Sequence, residues 1–348
     1  MRPLLKISLT LALICANPSA LVAQFDNVGT SAMNFLKIGI GARAVAMGSS
    51  QVAVVNDASA LYWNPSGMAN ITTNQVLMSN NNWIADISHN FLAVTIPSGE
   101  LGVIGISVSY LSMGDMKVTT WDHTDGTGEI FSSHSAAIGF GWARQMSDRF
   151  KVGVHIKYLN ESIANSSANT FAVDLGSQYD IGWLRVGMSI QNFGPQARLE
   201  GRDLQVRFDP LPDVGSNPPD VTANLETQEW ALPILFQLGF AVTPLRTDMM
   251  RMTTSIDFRD ERDYRPQLGL GGEFAFEEMI FLRGGIKNRV ISEIVNLQPE
   301  LQEVYLVSAG VGVAYTLPTT EFTIHFDYAY QQLQYFSNSQ LITLRVDF

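Results

Sequence analysis

The stretch LITLRVDF, Leu341 to Phe348, alternates when counted back from its end: Phe348, Val346, Leu344 and Ile342 are apolar, while Asp347, Arg345 and Thr343 between them are polar. A period of two places the apolar set on one face of a strand. No cap, turn or polar tail follows the final aromatic residue. In a soluble sheet such an edge would present unpaired N–H and C=O groups and invite aggregation, whereas a closed barrel has no edge. The expectation is that Ile342, Leu344, Val346 and Phe348 face outward from a closing strand and together form a barrel-assembly signal.

The remainder of the chain supplies the other staves. In FKVGVHIKY, Phe150, Val152, Val154, Ile156 and Tyr158 oppose Lys151, Gly153, His155 and Lys157. In EFTIHFDYAY, Phe322, Ile324, Phe326, Tyr328 and Tyr330 oppose Thr323, His325, Asp327 and Ala329. From residue 74 onward roughly fourteen such segments follow one another, and an even count suits a bacterial outer-membrane barrel. Every second connection is tight, as at 97–100, 146–148, 180–182, 243–248, 277–278 and 318–319. Those between include the long stretches 114–130, 194–230 and 291–302. Short periplasmic turns and long outer loops are the asymmetry of such barrels. Tyr305 and Tyr315 share one face ten residues apart, which projects to roughly 25 Å along the membrane normal and matches two aromatic girdles.

Composition agrees. Charged residues are 16% and hydrophobic residues 46% of the chain, yet no apolar run approaches the length of a spanning helix. Strands that show lipid one face each deplete charge without creating apolar blocks. Residues 1–23 carry Arg2 and Lys6, an apolar run and then small residues up to Ala23, the pattern of a secretory signal peptide. Its removal takes the formal net charge from −11 to −13 and removes Cys15, the sole cysteine. A disulfide, a thiolate metal site and a cysteine nucleophile are thereby excluded, and an acidic exported chain is not built for nucleic acid.

Residues 24–73 precede the barrel, 74–348, and lack strand alternation. Gly39, Gly41 and Ala44, with Asp57 beyond, formally match a dinucleotide fingerprint, but that site needs a parallel βαβ unit. The five histidines, His89, His123, His134, His155 and His325, show no ligand spacing and are assigned to lumen or loops. The loop DHTDGTGE, Asp122 to Glu129, misses the calcium-loop spacing. No nucleophile motif occurs, so no enzyme, metal or cofactor is expected. Arg265, Glu273, Arg283, Lys287, His325 and Asp327 fall on the polar faces of strands 10, 11 and 13 and are expected to line the lumen.

GARAVAMG at 41–48 and NDASALYWNPSGMA at 56–69 resemble the PorV/PorQ family of outer-membrane proteins, which is similar in turn to FadL-type transporters of hydrophobic compounds. The resemblance implies an all-β fold: a transmembrane antiparallel β-barrel of about fourteen strands with an N-terminal hatch, in the outer membrane of a Gram-negative bacterium. It makes Gly41, Arg43, Gly48, Asp57, Asn64 and Pro65 the hatch motif. Pro65 fixes its own φ and biases Asn64 toward extended backbone, which redirects the chain from hatch to wall.

Two functions follow from the resemblance, the first the main expectation and the second its alternative. As a type IX secretion component the barrel would engage secreted or machinery proteins through its outer loops. As a FadL-like transporter it would take a hydrophobic ligand near the hatch and release it through the wall into outer-membrane lipid. The loop from Pro195 to Pro233 is rich in proline and charge, with Leu204, Val206, Phe208, Leu211 and Trp230 interspersed. Leu204, Phe208 and Trp230 are the expected anchors for a protein partner.

Overall fold

A computed structural model describes residues 29–209, 221–289, 305–318, 320, 322–333 and 338–348. The signal segment 1–23, Leu211 and the side chain of Tyr305 lie outside the described residues. Fourteen antiparallel strands form the wall. They are β1 Gln75–Asn82, β2 Ser88–Pro97, β3 Val103–Ser112, β4 Ser133–Gln145, β5 Phe150–Ile163, β6 Ser166–Asp180 and β7 Leu184–Phe193, followed by β8 Leu235–Arg246, β9 Met250–Glu261, β10 Gln267–Phe276, β11 Ile280–Arg289, β12 Tyr305–Thr316, β13 Thr323–Gln331 and β14 Ser339–Asp347. Each pairs with the next, and β14 pairs with β1 from Gln75↔Asp347 to Asn82↔Gln340, so the sheet closes on itself.

Closure follows from the alternation. In β14, Leu341 and Thr343 are buried toward the lumen while Ile342 and Leu344 are exposed on the outside, as is Phe348 just past the strand, and Val346 is half-buried. The same holds around the wall, where Ile106, Phe140, Ile156, Phe171, Leu282 and Val311 face out. These side chains meet hydrocarbon in place of a protein core. Among the described residues no helix is long and apolar enough to cross a membrane. Tyr315 is exposed at its expected end of β12.

Phe348 extends the seam beyond β14. Its N–H donates to the Asn74 carbonyl at 2.9 Å, the Asn74 N–H donates back to the Phe348 carbonyl at 3.0 Å, and its ring meets that of Phe322 at 5.8 Å. Deleting Phe348 removes both bonds and the last outward ring. The expected result is loss of the protein from the outer membrane and its accumulation or degradation in the periplasm. Wild-type membrane levels and heat-modifiable migration of the truncated chain would refute this.

The lumen is filled by the chain's own residues 29–71. Short helical turns at Asn34–Lys37, Ala42–Ala46, Ala60–Trp63 and Pro65–Asn70 pack there, burying Trp63, Leu61, Met68, Met47 and Ile40 almost completely. This segment needs no strand periodicity because its backbone is bonded largely to itself and to wall side chains. Gly41 N–H donates to Ser79 Oγ at 3.1 Å, Ala42 N–H to Thr343 Oγ at 2.8 Å and Val52 N–H to Asp257 Oδ2 at 2.8 Å.

Candidate functional site

Three features of the barrel bear on function. The first is the ionic seat of the inner segment. Arg43 projects from the turn Ala42–Ala46 onto Glu273 of β10 (Nε to Oε2, 2.9 Å), and Glu273 also receives Arg283 at 2.8 Å and Arg251 at 3.0 Å. Arg283 continues to Asp327 at 2.5 Å. Asp57 accepts from Arg43 at 3.5 Å and from Arg345 at 3.3 Å, and Arg345 continues to Asp347 at 2.9 Å and to the His325 ring at 2.6 Å. Burial pushes the Asp57 carboxyl up, but Arg345, Arg43 and two hydrogen bonds from Ser59 outweigh it and hold the group below the ordinary carboxylate range. Asp57 is therefore charged, and Asp57 and Glu273 are each held by more than one guanidinium.

Asn64 ties the far side. Its backbone is extended (φ −163°, ψ 104°), its Oδ1 accepts from the Ser66 N–H and hydroxyl, and its Nδ2 donates to the carbonyls of Val52 at 2.8 Å and Ser177 at 3.1 Å. Pro65 opens the turn that leads to the wall. Gly48 has φ +62°, and a Cβ there would stand 2.6 Å from the Ile286 carbonyl oxygen.

The structure thus brings Arg43, Asp57, Glu273, Arg283, His325 and Asp327 into one network and leaves two expected members elsewhere. Arg265 is not on β10: it lies in the outer turn before Gln267, because β9 runs to Glu261 and the chain needs residues 262–266 to reverse. Lys287 faces a separate outer cavity beside Lys37, Glu261 and Asn288. His134 departs from the lumen-or-loop assignment and faces outward beside Tyr110, at 6.1 Å between rings. Arg251 and Arg345 join the network although neither is among the residues expected to line the lumen; both sit at lumen parity in their strands.

The second feature is an irregularity in the wall. From Asp180 the β6–β7 ladder runs regularly to Leu175↔Ile190, then shifts so that Val173 opposes Phe193. Asn192 absorbs the extra residue at φ +60°, as a bulge requires. Its N–H donates to Asp174 Oδ1 at 2.7 Å and its Nδ2 to the Pro233 carbonyl at 3.0 Å. Asp174 also holds Lys157 at 2.8 Å and His155 at 3.2 Å, and His155 contacts Ser107 Oγ at 3.0 Å. Beyond the bulge, β6 exchanges β7 for the short strand Leu199–Gly201 of the long loop, pairing at Ala168↔Leu199. Against this break lies an apolar layer of Met33, Phe35, Leu36, Leu159, Ala172 and Leu232, between the inner segment and the outer loop.

The third feature is the outer hairpin Gln205–Phe208 with Val221–Asn224. Phe208, Val206 and Val221 are exposed on it, and Leu204 is half-buried at its foot. Trp230 is not on the hairpin; it is pinned to Ala197 by paired backbone bonds of 2.8 Å near the barrel mouth. No group of three or more potential metal ligands occurs among the described residues.

A family model described as type IX secretion system protein PorV matches residues 22–210, more than half of the chain. The chain belongs to the PorV family. No curated protein matches this PorV-family chain. Among solved structures, the CymD monoaromatic hydrocarbon channel is similar at a TM-score of 0.56 and 12% identity, over 89% of this chain and 96% of that one. A Pseudomonas aeruginosa FadL homologue follows at 0.53 and 11%, over 89% and 98%, and the Pseudomonas putida toluene transporter TodX at 0.54 and 11%, over 89% and 97%. Identities this low establish a shared fold only. The PorV-family barrel is an outer-membrane protein of a Gram-negative bacterium.

Proposed function

We propose that this barrel carries small hydrophobic molecules from the outer side toward the hydrocarbon layer, with residues 24–73 acting as a hatch. The observation that carries the reading is the apolar layer of Leu36, Leu159 and Leu232 lying against the interrupted β6–β7 ladder. An apolar solute gains by leaving water at either end of such a path. The layer is filled by the chain's own Met33, Phe35 and Leu36, so passage requires these side chains to shift while the ionic seat below stays closed to water. The fold shared with the CymD monoaromatic hydrocarbon channel supports the reading.

A second reading is engagement of type IX secretion partners through the outer hairpin. Phe208, 57% exposed, and Val221, 53% exposed, favour it, as does the family model. Both readings meet one comparison: native membranes carrying the wild type, a Leu36→Trp variant, or a variant with residues 197–228 replaced by a Gly-Ser linker. Transport predicts that Leu36→Trp lowers toluene uptake at unchanged barrel levels while co-purifying proteins stay the same. Loss of co-purifying proteins in the linker variant, with toluene uptake untouched by Leu36→Trp, would replace the first reading by the second.

A further inference from the structure

Among the described residues seven cations of the lumen are paired, whereas Lys287 and three cations at the periplasmic mouth are not. Lys37, Arg43, Lys157, Arg251, Arg259, Arg283 and Arg345 each meet a carboxylate. At the periplasmic mouth, a cavity of about 280 Å³ opens between the inner segment and the starts of β5 and β7, and Arg149, Lys151 and Arg185 line it. None of the three makes an ion pair with a described carboxylate. The one acid at the cavity, Asp180, spends Oδ1 on the N–H of Gly182 in its own turn at 2.7 Å. The contacts that these cations do make are neutral: Lys151 donates to Asn70 Oδ1, and Arg185 reaches Thr243 Oγ at 3.5 Å.

A shortage of acid cannot be the reason, since the chain has 33 acidic against 22 basic residues. Three like charges around one concavity repel each other, and low-dielectric walls focus their field into it. The floor is fixed: Asn70 Nδ2 donates to Gln178 Oε1 at 3.0 Å, and Gln178 Nε2 to the carbonyls of Val52 and Val55 at 3.2 Å. The rim is therefore cationic, concave and held on both sides.

We infer that this cavity binds an oxyanion, the phosphate or carboxylate group of a molecule reaching the barrel from the periplasmic side. Two guanidinium forks and an ammonium supply directed donors to such a group. The bound anion would bridge wall and inner segment, because Lys151 and Arg185 belong to the wall while Asn70 and Val55 belong to the segment. This inference does not rest on the transport reading.

The test uses the mature protein in uncharged detergent, titrated calorimetrically with inorganic phosphate and separately with acetate. Saturable phosphate binding is expected. Arg185→Gln and Lys151→Gln should each weaken it about tenfold or more, the scale of one charge-assisted hydrogen bond, and Arg185→Lys should weaken it less. Absence of saturable binding, or glutamine variants that bind as the wild type does, overturns the inference. Should those variants fail to fold, the wild type alone decides: sodium phosphate must raise its melting temperature above that in sodium chloride of equal ionic strength, and an equal melting temperature overturns the inference. In nanodiscs, loss of phosphate binding with phosphatidylglycerol but not phosphatidylcholine assigns the oxyanion to a lipid headgroup. Equal binding in both assigns it to a free solute.

Discussion

In a Gly285→Val variant the inner segment does not seat, and the yield of folded barrel collapses. A Cβ at 285 would stand 2.1 Å from the Gly48 nitrogen and 2.3 Å from the Met47 carbonyl carbon. Ordinary overpacking costs about 1–3 kcal/mol when side chains can give way. Here the obstacles are backbone atoms, and Gly48 itself is pressed against Ile286, so the cost lies above that range. Gly284, one residue away on the opposite face, has open space around it, and Gly284→Ala should fold normally. The paired readout is heat-modifiable migration and protease resistance of the 29–71 segment. A resistant segment in Gly285→Val at wild-type yield would sink the argument.

Replacing Glu273 by glutamine should give the second-largest loss. Its carboxylate, 1% exposed, receives Arg43, Arg251 and Arg283. Without the negative charge three guanidiniums face one another in a buried space. Removing one partner of a buried pair costs about 3–5 kcal/mol because the other charge is left uncompensated; here one deletion takes a carboxylate from three guanidiniums at once, leaving Arg43 with Asp57, Arg283 with Asp327 and Arg251 with Glu278. The expected result is a lower urea midpoint and faster proteolysis of the inner segment. Glu278 also bonds Arg251, at 2.6 Å, but its side chain is 60% exposed. Glu278→Gln should change stability by about 1 kcal/mol or less, as surface pairs do. Equal effects at 273 and 278 would show that the network does not hold the segment.

The wall was legible because one rule, alternation, governs every strand. The quoted alternation of Phe150 to Tyr158 lies wholly within β5 and starts where that strand starts, and the boundaries drift where outer connections begin, as at Arg265. The lumen was legible by parity for Glu273, Arg283, His325 and Asp327. What parity cannot give is the partner across the lumen. Arg345 stood in the quoted final stretch as a polar residue, but its pairing with Asp57 spans 288 positions. The bulge at Asn192 was invisible for another reason: NF closing a strand reads like any strand end, and the positive φ appears only once β6 and β7 are in register.

The wall glycines carry a separate lesson. Gly153, Gly176, Gly271 and Gly285 all lie at lumen parity, where a Cβ would meet the inner segment within 2.0–2.4 Å. In the sequence they look like weak spots in strands. They are the negative imprint of the segment that they receive.

The contact from Ala42 N–H to Thr343 Oγ joins the beginning of the lumen filling to the final stave, across 301 positions. Such a bond cannot form locally, and neither can Arg345 to Asp57. The filling leaves the ribosome first yet can be locked only after the last strand has arrived, so its seating acts as a clock hand for closure. Distant pairings of this kind slow folding because chain entropy must be lost before they form. The inner segment should therefore be the last part of the molecule to acquire protection from hydrogen exchange, and its protection would time the closing of the cylinder.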